Sequence, residues 1–232
     1  MINVWNKILI LAFSFVVAPA VWVQTSYADQ FAGIAPNLKI VDQYTLRSDK
    51  NLLTDYQPRD PDGRINVVVE IPAGTNQKWE VTKPKGLLEW EKKKGKPRII
   101  KYLAYPGNYG MVPRTLLPEE LGGDGDPLDV LVLGPAFPRG SVLKAKVIGV
   151  LKLLDGGEID DKIIAVDEGN PLGKVNNMRE LDQEFPGAKL IIETWFTNYK
   201  GPGEMNSLGF AEVDDAEKII ASSINAFERH NK

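Results

Sequence analysis

Between Ile65 and Val166 the sequence breaks into short β-branched or apolar runs, each ended by a cluster of Gly, Pro, Asp or Asn. Such runs predict strands. Ile65–Ile71 stops at Pro72, and Lys78–Thr82 follows the turn Gly74-Thr75-Asn76. Arg98–Leu103 and Leu128–Leu133 come next, then one long stretch, Val142–Leu154, bent near Gly149, and finally Lys162–Val166. Helical spacing arrives late. Ala188–Lys200 carries Ile191, Ile192, Trp195, Phe196 and Tyr199. A second helix starts at Asp214 as N-cap with Glu217 completing a capping box, and its stripe is Ile219, Ile220, Ile224 and Phe227. Short strands followed by helices predict a mainly β fold, a closed β-barrel with flanking α-helices. Residues 64–232 are read as one catalytic domain. Residues 29–63 are polar and turn-rich and are read as an N-terminal arm.

The N-terminus has a different composition. Lys7 is the only charge before Asp29, and the apolar run Ile8–Val23 leads to Ser26-Tyr27-Ala28. A positive start, an apolar centre and a small-x-Ala site predict a secretory signal at residues 1–28, hence a periplasmic or secreted protein. The run is short for a hydrocarbon core of ~30 Å, and Pro19 interrupts it. No stable membrane association is expected after cleavage.

Composition removes several kinds of chemistry. There is no cysteine and one histidine, His230, near the C-terminus. That excludes a Ser-His-Asp triad, a Cys-His pair and an HExxH zinc site. Catalysis would have to use carboxylates, Lys, Arg, Tyr and hydroxyls, a set that favours hard cations bound through oxygen. A net charge of −3 is not the footprint of a nucleic-acid binder.

The densest chemical signal is acidic. Asp124, Asp126 and Asp129 fall on one turn leading into a strand, with Gly125 and Pro127 between them. A cation would relieve their mutual repulsion. An EF-hand is excluded: counting from Asp124, the glycine position holds Asp129 and the final glutamate position holds Pro135. A second acidic loop runs from Asp155 to Lys162, and Glu70 and Glu80 flank the first hairpin. Two acidic loops and two glutamates suggest a site for several cations, which bind an anion and activate water. Lys78 and Glu80 alternate along one strand and so share a face. Tyr105 and Tyr109 bracket a rigid turn, and Tyr199-Lys200 ends a helix.

In chain order, Val69-Glu70-Ile71-Pro72, Lys78-Trp79-Glu80, Arg98, the turn from Tyr105 to Gly110, the aspartate motif from Asp124 to Val130, Asp155 with Asp160-Asp161-Lys162, and Tyr199-Lys200 resemble the soluble family I inorganic pyrophosphatases. Thr75–Glu80 and Asn170-Pro171-Leu172 are closer to its eukaryotic-type branch, and the short C-terminus is closer to the bacterial one. The resemblance implies an OB-like five-stranded closed β-barrel and hydrolysis of inorganic pyrophosphate to two phosphates with several Mg2+ ions. It implies Asp124, Asp129, Asp155 and Asp160 as principal metal ligands, supported by Glu70 and Glu80, and Asp126 as acceptor of the attacking water's proton. Lys78, Arg98, Tyr109, Lys162, Tyr199 and Lys200 would hold phosphate oxygens, with Tyr105 behind them. It further implies a homo-oligomer, dimer or hexamer. Members of the family are usually cytoplasmic, so the export signal and the 29–63 segment are departures. The other readings are an exported protein that binds phosphate or pyrophosphate without turnover, and a hydrolase of another phosphoanhydride.

Overall fold

Strands form where β-branched residues run and stop where Gly or Pro intervenes, and the late part of the chain supplies the helices. The computed structural model describes residues 33–117, 122–123 and 125–231. The signal read at 1–28 and the aspartate at 124 lie outside the described residues. In chain order the strands are β1 (Leu38–Asp42), β2 (Thr45–Ser48), β3 (Ile65–Ile71), β4 (Trp79–Thr82), β5 (Leu87–Trp90), β6 (Lys92–Lys93), β7 (Lys96–Pro97), β8 (Asn108–Met111), β9 (Asp129–Leu133), β10 (Val142–Asp155), β11 (Glu158–Ile159), β12 (Lys162–Val166) and β13 (Met205–Ala211). The helices are α1 (Met178–Glu184) and α2 (Ala188–Asn198) before β13, and α3 (Val213–His230) after it.

β10 closes the main sheet on itself. Its first residues pair with β3 and its middle with β12. β12 runs parallel to β9, β9 antiparallel to β8, and β8 antiparallel to β3. The ring β3-β8-β9-β12-β10 is therefore a five-stranded OB-like closed β-barrel. The far end of β10 leaves the ring and pairs with β13 and β11. The change of direction falls at Gly149, where the register with β12 shifts. A Cβ there would lie 2.3 Å from Met178 and 2.6 Å from the Ala211 carbonyl, so glycine is needed for helix and strand to approach this closely.

The strands alternate between two cores, as a two-residue period requires. Leu131, Leu133, Ile164 and Val166 pack with Ile192, Trp195 and Phe196 of α2 and with Met178 and Leu181 of α1. Val130, Val132, Ile163 and Ala165 pack with Val67 and Val150, and with Ala216 and Ile220 of α3.

Three local expectations change. The 29–63 segment contains the hairpin β1–β2, which extends β5 and β4 into a four-stranded sheet. β1 pairs with β2 at the edge of that sheet, and little of it is buried. Arg98–Leu103 is not a strand; only Ile99 makes a bridge, to Gln77. Arg98 instead donates its N–H to Glu91 and accepts at its carbonyl from Lys78, which turns the chain. The last helix begins one residue before Asp214 with Glu212 as N-cap, and no side chain caps it. Glu217 is drawn to Arg59 instead of closing a capping box.

Candidate active site

The parallel pairing of β9 and β12 builds the centre. Val130 stands opposite Ile163, so the preceding residues, Asp129 and Lys162, start their strands side by side. Lys162 Nζ lies 2.6 Å from Asp129 Oδ2 and also contacts Asp160. The lysine is 2% exposed, so its charge rests wholly on these two acids. Burial works against that charge, but the two aspartates push Lys162 well above the usual lysine range. Burial also opposes ionisation of Asp129, yet Lys162 and Lys78 hold it below its ordinary value. Asp160 goes the other way: burial and the Asp129 charge push it up despite Lys162.

β3 and β4 bring the second part. Glu70, next to last in β3, is buried and accepts one backbone N–H, from Val81 at 2.6 Å. Burial pushes it up to about 8, with Lys78 offsetting only part of the cost. Lys78 Nζ sits 5.2 Å from the centroid of the Tyr109 ring. Burial lowers this lysine, but Glu70, Asp129 and Glu80 together raise it above the usual lysine range. Burial pushes Glu80 up as well.

The phenols lie on the face shared with α2. The Tyr109 phenol faces Asp129 and helps, after Lys162 and Lys78, to hold that carboxyl below its ordinary value. Tyr105 stands 5.1 Å from Tyr109 and 4.2 Å from Trp195, and Tyr199 stacks on Trp195 at 4.8 Å. Trp195 Nε1 donates to the Leu103 carbonyl at 2.8 Å, fixing the loop before Tyr105. Burial raises all three phenols, so each remains a protonated donor near neutral pH.

Further out, Lys200 pairs with Asp155. Asp126 is exposed and pairs with Lys83 at 2.6 Å, and the same lysine donates to the Gly125 carbonyl at 2.8 Å. Arg98 reaches both oxygens of Glu91, at 2.7 and 2.9 Å, and with Lys78 it offsets part of the burial that pushes Glu80 up. Every site residue expected from the sequence, Asp124 aside, therefore falls in one connected field of charge. Lys83 and Glu91 lie outside the residues that the sequence points to, and Asp161, part of the second acidic loop, is buried and accepts from Leu153 N–H at 3.1 Å. Glu91 has a signal in retrospect: the Pro84-Lys85-Gly86 turn pairs β4 with β5 and returns Glu91 N–H to the Lys78 carbonyl at 2.9 Å. Lys83 has none.

The donor chemistry suits a hard divalent cation: carboxylate oxygens, no sulfur and no imidazole. Two ammonium groups, of Lys162 and Lys200, already stand against Asp129, Asp160 and Asp155 as stand-in cations. Among the described residues no three acids gather closely enough to form a metal cage. Asp124 is not among those residues.

The closed five-stranded barrel gathers lysines and phenols among carboxylates, a donor set that suits a small, highly charged anion. A family model for inorganic pyrophosphatase matches residues 67–228, and the chain belongs to the inorganic pyrophosphatase family. It is 38% identical over 180 residues to an inorganic pyrophosphatase of Drosophila melanogaster, covering 71% of this chain and 53% of that one. It is 35% identical over 170 residues to soluble inorganic pyrophosphatase 2 of Chlamydomonas reinhardtii, covering 72% and 82%. A crystal structure of an N-terminally truncated vacuolar soluble pyrophosphatase of Trypanosoma cruzi, in complex with PPi, superposes with a TM-score of 0.70 at 26% identity, over 85% of this chain and 80% of that one. The chain spans 53–64% of the length of the Drosophila, Kluyveromyces lactis and Schizosaccharomyces pombe relatives.

Proposed function

We propose that this chain hydrolyses inorganic pyrophosphate to two orthophosphates. The observation that carries the reading is the buried Lys162 held between Asp129 and Asp160, with Lys78 and Tyr109 beside it. These are cations and donors for phosphate oxygens, set among acids that suit magnesium. The pyrophosphate bound by the Trypanosoma cruzi relative supports the same substrate.

Asp124, Asp129, Asp155 and Asp160 would hold magnesium, with Glu70 and Glu80 supporting them. When bound, magnesium offsets charge on the diphosphate and lowers the pKa of the attacking water. The chain's own groups do the rest. Lys78, Arg98, Lys162 and Lys200 neutralise charge that builds on the electrophilic and leaving phosphates. Tyr109 and Tyr199, kept protonated by burial, donate to phosphate oxygens and orient them. Asp126, exposed on its turn, accepts the proton of the attacking water. Lys83 holds that carboxylate in place at 2.6 Å.

The protein works after export, with residues 1–28 removed, and as a homo-oligomer. The apolar run before Ser26-Tyr27-Ala28 supports the first statement; membership of the family supports the second. Phosphate release from pyrophosphate by the mature protein tests the activity: it should require magnesium and stop on adding a chelator. Binding of pyrophosphate by calorimetry with no phosphate released would replace the enzyme with a binding protein. An N-terminal Asp29 in exported material would support cleavage, and Met1 would count against it.

A further inference from the structure

β3 carries an extra residue where it pairs with β8. Val69 faces Gly110 and Ile71 faces Tyr109, so Glu70 is left out of the register. Such a bulge re-aims a side chain and breaks the ladder locally. The Glu70 carbonyl is met by Arg139, whose Nε donates to it at 2.9 Å. The Arg139 guanidinium is buried. Its Cζ lies 4.7 Å from the centroid of the Trp79 ring, and Nη2 is 3.5 Å from Gln77 Oε1. Trp79 separates Lys78 from Glu80 and is itself stacked on Trp90 at 5.5 Å. The Arg139 backbone is tied as well: its N–H donates to the Gly33 carbonyl at 2.6 Å and its carbonyl accepts from Ala35 N–H at 2.8 Å. The N-terminal segment thus seats the arginine that touches both glutamate-bearing strands.

Among the described residues this guanidinium meets no carboxylate, and burial alone pulls it down to about 10. A buried cation without a counter-charge is costly, and an apolar residue of similar volume would be cheaper. What the apolar residue lacks is the planar fork that donates to a bulged carbonyl while stacking on an indole.

We propose that Arg139 is a positioning residue: it clamps the Glu70 bulge to the Gln77–Trp79 segment, so that Glu70, Lys78 and Glu80 are presented together to Asp129. The proposal rests on the reading of this cluster as the pyrophosphate and magnesium site. Arg139→Met keeps an apolar stem over Trp79 and removes the donors. We expect kcat to fall about tenfold with KM for pyrophosphate within about twofold, and magnesium affinity, measured by calorimetry on magnesium alone, to weaken about tenfold. Arg139→Lys retains the charge but not the fork and is expected to lose about as much. Circular dichroism and the melting temperature establish that each variant is folded at the assay temperature. A folded lysine variant with full kcat and unchanged magnesium affinity overturns the clamp, as does a folded methionine variant with both unchanged. If neither variant folds, the role is structural and the proposal falls. If wild-type protein binds magnesium but releases no phosphate, the functional reading fails, and the clamp is judged by magnesium affinity alone.

Discussion

Asp60 and Glu70 are both buried carboxylates, and their surroundings treat them in opposite ways. Asp60 accepts backbone N–H groups from Asp62 and Arg64 at 2.9 and 3.0 Å and the Arg64 Nε at 3.0 Å, with Lys144 Nζ at 3.5 Å. Burial pushes its pKa up, but these donors outweigh it and hold Asp60 below the ordinary value. Glu70 has one backbone N–H and a lysine shared with Asp129 and Glu80, and burial carries it to about 8. The first network satisfies itself and needs nothing from solution. The second is short of positive charge, and a cation with its anionic substrate would complete it. The contrast separates a charge cluster that is satisfied within the protein from one that is not, without reference to any relative.

The contrast can be broken by substitution. The largest effect is expected at Lys162→Met, which leaves Asp129 and Asp160 facing each other without their buried ammonium. Turnover should fall about a thousandfold, and stability in urea should drop by about 3 kcal/mol. Retention of either would show that the lysine does not hold the pair together.

An effect of opposite sign on stability, with no comparable loss implied by the charge balance, is expected at Glu70. Its folded pKa lies above its unfolded value, so the folded state binds the extra proton. In magnesium-free protein the penalty is absent below about pH 4.5, grows as pH rises, and is complete above about 8. Glu70→Gln removes it, so the variant should be more stable than wild type at pH 9, by on the order of 5 kcal/mol, and equal to it at pH 4. Urea titrations at the two pH values measure this. A variant less stable than wild type at pH 9 would mean that Glu70 is satisfied after all.

Asp60 should give the smallest change and the opposite pH dependence. Its folded pKa is depressed, so the stability it adds is present above its ordinary value and is lost as pH falls through the folded one. Asp60→Asn should lower the urea midpoint at pH 7, flatten the acid limb of the stability curve, and leave kcat within about twofold.

What the sequence reveals follows from where the information lies. β3, β10 and β12 are legible because their β-branched runs are continuous and buried, and Gly149 marks the bend. β1 is not, because Ile40 and Val41 are both exposed and leave no alternating buried face to detect. β8 is hidden by the Pro106-Gly107 turn before it and by its glycine, Gly110, where a Cβ would strike the Val68 carbonyl at 1.8 Å. The residues of the proposed site form an ordered pattern of acids, lysines and tyrosines along the sequence. Their partners are not: Lys83 meets Asp126, and Arg139 meets Glu70, only through pairing between distant segments. The barrel ring itself depends on β10 pairing with both β3 and β12, which no local window contains.

The most direct test compares two aspartates in one assay. Phosphate release from pyrophosphate with magnesium should fall at least about a hundredfold in Asp126→Asn and remain near wild type in Asp60→Asn, with both proteins folded. Full turnover in folded Asp126→Asn would contradict the account, since the exposed carboxylate beside Lys83 would then not be the group that takes the proton.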